Sequence, residues 1–525
     1  MKKLMFVTSV LLLVIWGSNL AYSGQLQDNL REFILENNPN GHTPVIAILA
    51  DRVDAWELAQ SLTNSGATLA ERHYAVVTAL QEKAASTQGP VISKIEELMY
   101  SGEVTDYTPL WISNEIGITA TLGAIEEIAA MPEIETVIYD AEIELIEPVE
   151  QSQPGGKGDI QSVEQGLIAV NAPEAWAMGI TGDGVLVSSL DTGVDGNHSA
   201  LYSRWRGHDP LYDGHPEWAW HDPLTYTDFP FDDGTHGTHT MGTICGASQS
   251  TGDTVGVAFG AEWISAGVID RGGDLPTRML RYRTAFEWTM DPDGNPGTMW
   301  DVPAVCSNSW GHHLSGFPGD ECNDYYWETL DNLEAAGVAV VFAAGNEGYD
   351  GLRIPGNRAT DEYRSFAVAA VDGNQSGWPI ASFSSRGPSV CTPDGQPEIK
   401  PEVSAPGVSV RSCYPGGSYS TSSGTSMACP HVAGAVALVK QANPNLTPEM
   451  IKQILMDTAY DLGSTGNDNS YGYGMIDVYE AVLVAQSMLE GWGAITGRVT
   501  DAENGDGLPA TVTVTNRTPQ ISTTC

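Results

Sequence analysis

Three short runs carry residue types that together can transfer an acyl group. In Ser423-Gly424-Thr425-Ser426-Met427-Ala428-Cys429-Pro430-His431-Val432-Ala433-Gly434, a Gly/Ser-rich loop runs into an apolar helix. Pro430 is expected in the first turn, where a missing N–H costs little, and this puts Ser426 at the helix N-terminus. There the helix dipole and free N–H groups favour the negative charge that develops when a serine attacks a carbonyl. Residues 234–243, GTHGTHTMGT, crowd His236 and His239 with small neighbours, which lets an imidazole approach a nucleophile closely. Asp191, in SSLDTGVD, follows the apolar run 185–190. A carboxylate held at a strand end can accept a hydrogen bond from an imidazole and fix its tautomer.

Each run has a rival reading. An isolated serine before a helix is usually a cap. Asp-Thr-Gly also marks aspartic peptidases, but these need a second copy and the chain has none. His236 and His239, at i and i+3, form a conceivable metal pair, yet the glutamate of a zincin pattern is missing. An esterase elbow requires GxSxG, whereas Ser426 lies in GTSMA.

The elements that must position these residues are legible as patterns. From about 160 to 488, continuous apolar strands alternate with helical stretches; 185–190 and 338–344 are two such strands. Strands apolar throughout, rather than on alternate residues, indicate a parallel sheet covered on both faces, so the fold class is α/β with a doubly wound, mainly parallel sheet. Active sites of such sheets gather beyond the carboxyl ends of the strands. Residues 24–150 read as a separate small α/β unit, with strands at 45–49 and 136–139 and helices at 55–63 and 124–130. The stretch 151–158, QSQPGGKG, is a linker with little to bury. Past Trp492, 494–500 and 510–515 read as strands around a Gly/Asp-rich turn, the start of a β-sandwich over 493–525.

Composition narrows the partners. Sixty-seven acidic against 24 basic residues give a formal charge of -43, a surface that repels nucleic acid and anionic membranes. Lys2 and Lys3 precede an apolar run from Leu4 to Trp16, and Ala21-Tyr22-Ser23 offers a cut before Gly24; residues 1–23 are read as a signal peptide, too short for a comfortable membrane span. The expected location is extracellular. Of the seven cysteines, Cys306 with Cys322 and Cys391 with Cys413 are candidate pairs, and Cys429 is read as a small buried hydrophobe.

The three runs, in the order Asp191, His236, Ser426, resemble the subtilase family of serine peptidases, most closely its bacillopeptidase F-type members, over roughly residues 160–485. Residues 381–388 (ASFSSRGP), 400–407 (KPEVSAPG) and 471–477 (YGYGMID) add to the resemblance. It implies a serine endopeptidase acting on proteins or peptides through an acyl-enzyme, with no cofactor in the chemistry. Asn346 would supply an oxyanion amide. Ser309, Trp310 and Gly311, with Ala344 and Gly345, would line the substrate cleft. Residues 24–157 would be a propeptide that chaperones and inhibits the peptidase domain, 158–488, until cut near 151–158. A glycine stands at the pocket floor in the family, where this chain has Arg353. Turned inward, Arg353 shortens the pocket and needs a carboxylate from Glu347, Asp350 or the substrate; turned outward, it meets solvent. Structural calcium is common in the family, and Asp291-Pro292-Asp293-Gly294-Asn295 offers alternating oxygen ligands, or else forms an acidic surface turn. A non-catalytic adhesin built on a degenerate copy of the fold is the competing reading; the presence of all four polar residues argues against it.

Overall fold

The structure is a computed structural model and describes residues 25–155, 163–248, 252–269, 278–312, 322, 324–489, 511–514 and 521–524. The proposed signal peptide and the strand expected at 494–500 lie outside these residues.

The N-terminal unit comprises β1 (Gln25–Leu26), α1 (Leu30–Asn37), β2 (Thr43–Leu49), α2 (Ala55–Asn64), α3 (Leu69–Thr87), α4 (Gly89–Ser101), β3 (Val104–Leu110), β4 (Glu115–Ala120), α5 (Leu122–Ala129) and β5 (Ile134–Tyr139). Its five strands are ordered β1-β5-β2-β4-β3. Helix starts follow local chemistry: Asp54 and Thr121 cap α2 and α5, and Thr68 forms a reciprocal capping box with Glu71 on α3. Two short strands follow, β6 (Glu144–Leu145) and β7 (Glu150–Gln151).

The larger unit continues through α6 (Gln165–Ala169), α7 (Ala172–Ala177), β8 (Leu186–Asp191), β9 (Trp220–His221), α8 (His236–Cys245), β10 (Glu262–Gly267), α9 (Met279–Met290), β11 (Val305–Asn308), β12 (Trp310–Gly311), α10 (Trp327–Ala335), β13 (Ala339–Ala343), β14 (Phe366–Val371), β15 (Val403–Pro406), β16 (Val410–Tyr414), β17 (Ser418–Ser423), α11 (Thr425–Ala442), α12 (Pro448–Asp457) and α13 (Val478–Leu489). Seven strands form one sheet in the order β15-β14-β13-β11-β8-β10-β9, every neighbouring pair parallel. β13 (AVVFA) and β14 (FAVAAV) are buried throughout, as a sheet covered on both faces requires. One face packs α8 and α11. The other packs α9 and α10, and its core continues into Ile46, Ile48, Val76 and Leu80 of the N-terminal unit. The two units therefore share an apolar core. Their contact is also polar: Arg72 donates to the Ala335 and Glu334 carbonyls at the end of α10 and pairs with Glu449. On α9, the Glu287 carboxylate accepts from the backbone N–H groups of Trp111 and Ile112.

Two expectations need correction. The described disulfide joins Cys322 to Cys391, with Cα atoms 5.0 Å apart. Cys306 and Cys413 instead lie as buried free thiols, their expected partners being joined to each other. Within the described part of the stretch read as a linker, Ser152 N and Gly155 N donate to the Thr421 and Tyr419 carbonyls. Pro430 is the sixth residue of α11, not in its first turn, and removes the hydrogen bond to the Ser426 carbonyl. Ser309 Oγ supplies the substitute, donating to that carbonyl at 3.2 Å. Near the end of the chain, Thr511–Val514 pairs antiparallel with Ile521–Thr524.

Gly434 lets α11 pass close to the loop after α8; a Cβ there would lie 2.5 Å from Val257 Cβ and 3.2 Å from the Ile244 carbonyl. Gly434→Ala should cost about 1–3 kcal/mol through overpacking, read as a lowered midpoint in thermal unfolding.

Candidate active site

β8 ends on Asp191, and α8 begins at His236. Their side chains meet with Asp191 Oδ1 2.7 Å from His236 Nδ1, both almost fully buried. Thr192 N and Thr240 Oγ1 donate to the two Asp191 oxygens at 2.7 and 3.1 Å, which fixes the carboxylate. The approach is close because of Gly237: a Cβ there would sit 2.0 Å from the Gly193 carbonyl and 3.1 Å from Asp191 Cβ. Burial opposes charge on His236, but the Asp191 carboxylate, through its field and its hydrogen bond, and Glu147 more weakly, raise its pKa above the ordinary imidazole value.

Ser426 occupies the second position of α11. Its hydroxyl donates to the Ile146 carbonyl at 2.8 Å, while His236 Nε2 is buried without a partner. Asn346 follows β13. Its Oδ1 accepts from Thr425 N (2.9 Å) and Thr425 Oγ1 (3.0 Å), which aims Nδ2 at the Glu147 carbonyl, 2.8 Å away. Gly345 makes the turn before it at φ 114°, and a Cβ there would strike Glu347 Oε2 and Ser385 Oγ at 2.4 and 2.7 Å. Ala344 is buried and bonds Val368 O and Arg353 N through its backbone.

The cleft holds part of the same chain. β6 pairs antiparallel with β12, in register Leu145↔Trp310 and Glu144↔Gly311, and Ile146 N donates to Ser309 O at 3.4 Å. Beyond Pro148, Val149 N donates to Ser423 O, and β7 pairs antiparallel with β17. Ile143 and Ile146 are buried, whereas Glu144 and Glu147 are exposed. Trp310 faces this segment only through its backbone; its indole packs inward against Tyr282, Phe286, Tyr326 and Phe342. Arg353 is turned inward, its side chain 14% exposed. It pairs with Glu347 at 2.8 Å and lies 3.4 Å from Glu144. Of the carboxylates weighed from the sequence, Glu347 is the one engaged.

Other features were not found from sequence. Asp232 accepts from Thr192 Oγ1, Gly234 N, Thr238 N and Thr238 Oγ1, binding the Asp191 turn to the start of α8. Burial pushes its pKa up to about 6. A carboxylate four residues before His236 was the available signal. Thr425, beside Ser426, has a hydroxyl that also accepts from Gly345 N. His239 does not join His236 in a metal pair: its Nε2 bonds the Val410 carbonyl, and burial drives its pKa down to about 3. Cys429 is fully buried, with its thiol pushed up to about 12, the behaviour of a hydrophobe.

Asp191→Asn should lower the His236 pKa below the ordinary value of about 6.5, because burial would act with little to offset it; an NMR titration of the imidazole reads the shift against wild type.

The Subtilase family model matches residues 182–474. Bacillopeptidase F of Bacillus subtilis (strain 168) is 33% identical over 477 residues, 84% of this chain; the chain spans about a third (32%) of that relative's length. Subtilisin BL of Lederbergia lenta is 35% identical over 321 residues, 61% of this chain and 99% of that protein. The crystal structure of fervidolysin from Fervidobacterium pennivorans, a keratinolytic enzyme related to subtilisin, shares the fold with a TM-score of 0.59 at 22% identity, over 93% of this chain and 68% of that one. The chain belongs to the subtilase family.

Proposed function

We propose that the protein is a secreted serine endopeptidase in its self-inhibited form. Ser426 attacks a peptide carbonyl, His236 takes its proton and returns it to the leaving amine, and Asp191 holds the imidazole in the productive tautomer and stabilises its charge. Asn346 Nδ2 and the Ser426 backbone N–H stabilise the oxyanion, acting on charge that exists only along the reaction path. The chemistry is carried by these side chains and the Ser426 backbone N–H. Residues 1–23 direct export, 24–157 act as propeptide, 158–488 form the peptidase domain, and 493–525 begin a β-sandwich of the carboxypeptidase-regulatory type. Export rests on the paired lysines and the apolar run that follows them. Among the described residues no helix is long and apolar enough to cross a membrane.

The observation that carries this reading is residues 144–151, which lie in the cleft as an extended peptide between β12 and β17. Protein substrates would bind the same backbone edges. The segment meets the reactive groups on successive residues: Ser426 bonds the Ile146 carbonyl and Asn346 the Glu147 carbonyl. Neither carbonyl is held by both, and Pro148 follows directly, so no bond here is presented for attack with its oxyanion donor in place. An inhibitor bound in this way is released by cleavage further along, near 151–158.

Ser426→Ala should give an exported, folded protein that keeps its N-terminal unit, because self-cleavage needs the same nucleophile as substrate cleavage. Intact mass is the measurement, and normal maturation of the purified variant with no other protease present would sink the assignment. Arg353 sets the size of the pocket in this reading. With its charge met by Glu347, it should favour medium-sized side chains such as Ile146 over bulky aromatics. Profiling a peptide library with wild type and Arg353→Gly tests this: the variant should gain large aromatics, and identical profiles would remove Arg353 from the account.

A further inference from the structure

Strands β16, β17 and β7 form a three-stranded antiparallel sheet beside the cleft, with β17 in the middle. The chain leaving the cleft supplies β7, and its contact with β17 extends beyond that short strand. Val149 N and Ser152 N each donate at 2.8 Å, to the Ser423 and Thr421 carbonyls, and Gly155 N donates to the Tyr419 carbonyl at 3.1 Å. In return, Thr421 N donates to Ser152 Oγ at 2.9 Å. Gln151 Nε2 donates to Thr235 Oγ1, next to His236, at 3.3 Å. Residues 149–155 therefore follow β17 from Ser423 back to Tyr419, away from Ser426.

On its other side β17 is paired with β16, in register from Val410↔Ser422 to Tyr414↔Ser418. When residues 149–155 leave, the outer edge of β17 keeps the Thr421 N–H and three carbonyls with no strand to meet them. An edge of this kind takes up an extended chain through backbone hydrogen bonds. It is also braced before anything binds. The Arg411 guanidinium lies over the Tyr419 ring, 4.3 Å from its centroid, and the His198 ring meets it edge-on at 5.3 Å. Arg411 is held by two bonds to the Asp253 carboxylate, at 3.0 and 2.6 Å. His198 Nε2 donates to the Ser418 carbonyl at 2.8 Å. A braced edge loses little freedom when a chain docks on it.

We propose that the outer edge of β17, from Ser423 to Tyr419, is an extended docking site for the part of a substrate that follows the bond cut. The inference rests on the peptidase reading and narrows its substrates: long, extended polypeptides are taken in preference to short peptides. Ser152 adds a chemical preference, because its hydroxyl oxygen is what Thr421 N meets. A serine or threonine fits at that place, whereas an alanine leaves the N–H to water.

The test uses wild-type protein after self-cleavage, with quenched fluorescent peptides that share one sequence before the cut and differ after it. Mass spectrometry places the cut, so the residues that follow it can be counted off along β17. Peptides that stop at the place of Val149 are compared with peptides that reach the place of Gly155. The longer peptides should gain about tenfold in kcat/KM, mainly through KM, since these bonds form equally in the ground and transition states. N-methylation at the place of Ser152 removes the donor to the Thr421 carbonyl and should lose at least about threefold of that gain. Gln153 N makes no bond to β17 among the described residues, so N-methylation at its place should keep the gain. Serine at the place of Ser152 should exceed alanine by about twofold or more. Equal kcat/KM for short and long peptides, or an equal loss from the two N-methyl groups, would overturn the edge and leave the peptidase reading intact. Serine no better than alanine would overturn the hydroxyl preference. Absence of cleavage in every peptide and in a denatured protein would sink the peptidase reading, and the edge with it.

Discussion

Helix α11 is buried on almost every side, and the geometry around Ser426 depends on that burial. Of its 18 residues only Lys440 and Gln441 escape the core. Five of its residues are alanine, and Gly434 lies where a Cβ would strike Val257 and the Ile244 carbonyl of α8, so its backbone packs closely. A helix locked in this way cannot rock, and its first turn holds Ser426 and Thr425 in fixed positions. Pro430 frees the Ser426 carbonyl from the helix ladder, and Ser309 takes it. One hydrogen bond thus ties the residue proposed as nucleophile to the strand that pairs with the cleft peptide. Thr425 reaches the other way, bonding Asn346 and Gly345. Two stretches from distant parts of the chain, at Ser309 and at Gly345–Asn346, are set by a single helix end.

Charge is distributed with the same economy. The chain has few cations, and several of them lie inside. Arg283 pairs with Glu115, Lys400 with Glu402 and Lys452 with Glu334, all with side chains at most 5% exposed. Such pairs add little net stability, yet removing one member typically costs about 3–5 kcal/mol, because its partner is left buried and unpaired. With these cations withdrawn, the outer surface is left acidic, in keeping with a net charge of -43. The cleft shows the same principle locally: Arg353 is tolerated at the pocket because Glu347 meets it.

The seam between the N-terminal unit and the larger unit mixes apolar burial with directional bonds. Arg72 and His73 take up carbonyls at the end of α10, groups that a helix terminus leaves without partners. Glu287 accepts two backbone N–H groups from the opposite side. These contacts fix where α3 and the turn between β3 and β4 lie, and Arg278 holds the chain just beyond β5 by donating to the Asp140 carbonyl.

The sequence alone determined the three runs around Asp191, His236 and Ser426, the parallel α/β class, and strands such as β8 and β13. Each is a local matter: a strand buried on both faces must be apolar along its length, and a serine before a small-residue helix must sit at its N-terminus. Asn346 and the segment 309–311 were identified by resemblance, and residues alone would have left Asn346 as a turn. Only tertiary structure decided the rest. Asp232 and Thr425 gain their roles from partners that folding brings beside them, and Cys391 from Cys322, 69 residues away in the chain. Arg353 could face either way until Glu347 and Gly311 closed around it. The register of residues 144–151, with Ile146 at Ser426 and Glu147 at Asn346, is set by strand pairing across the cleft. Spacing along the chain carries no information about such pairings, because they depend on which surfaces are left free once the core has packed.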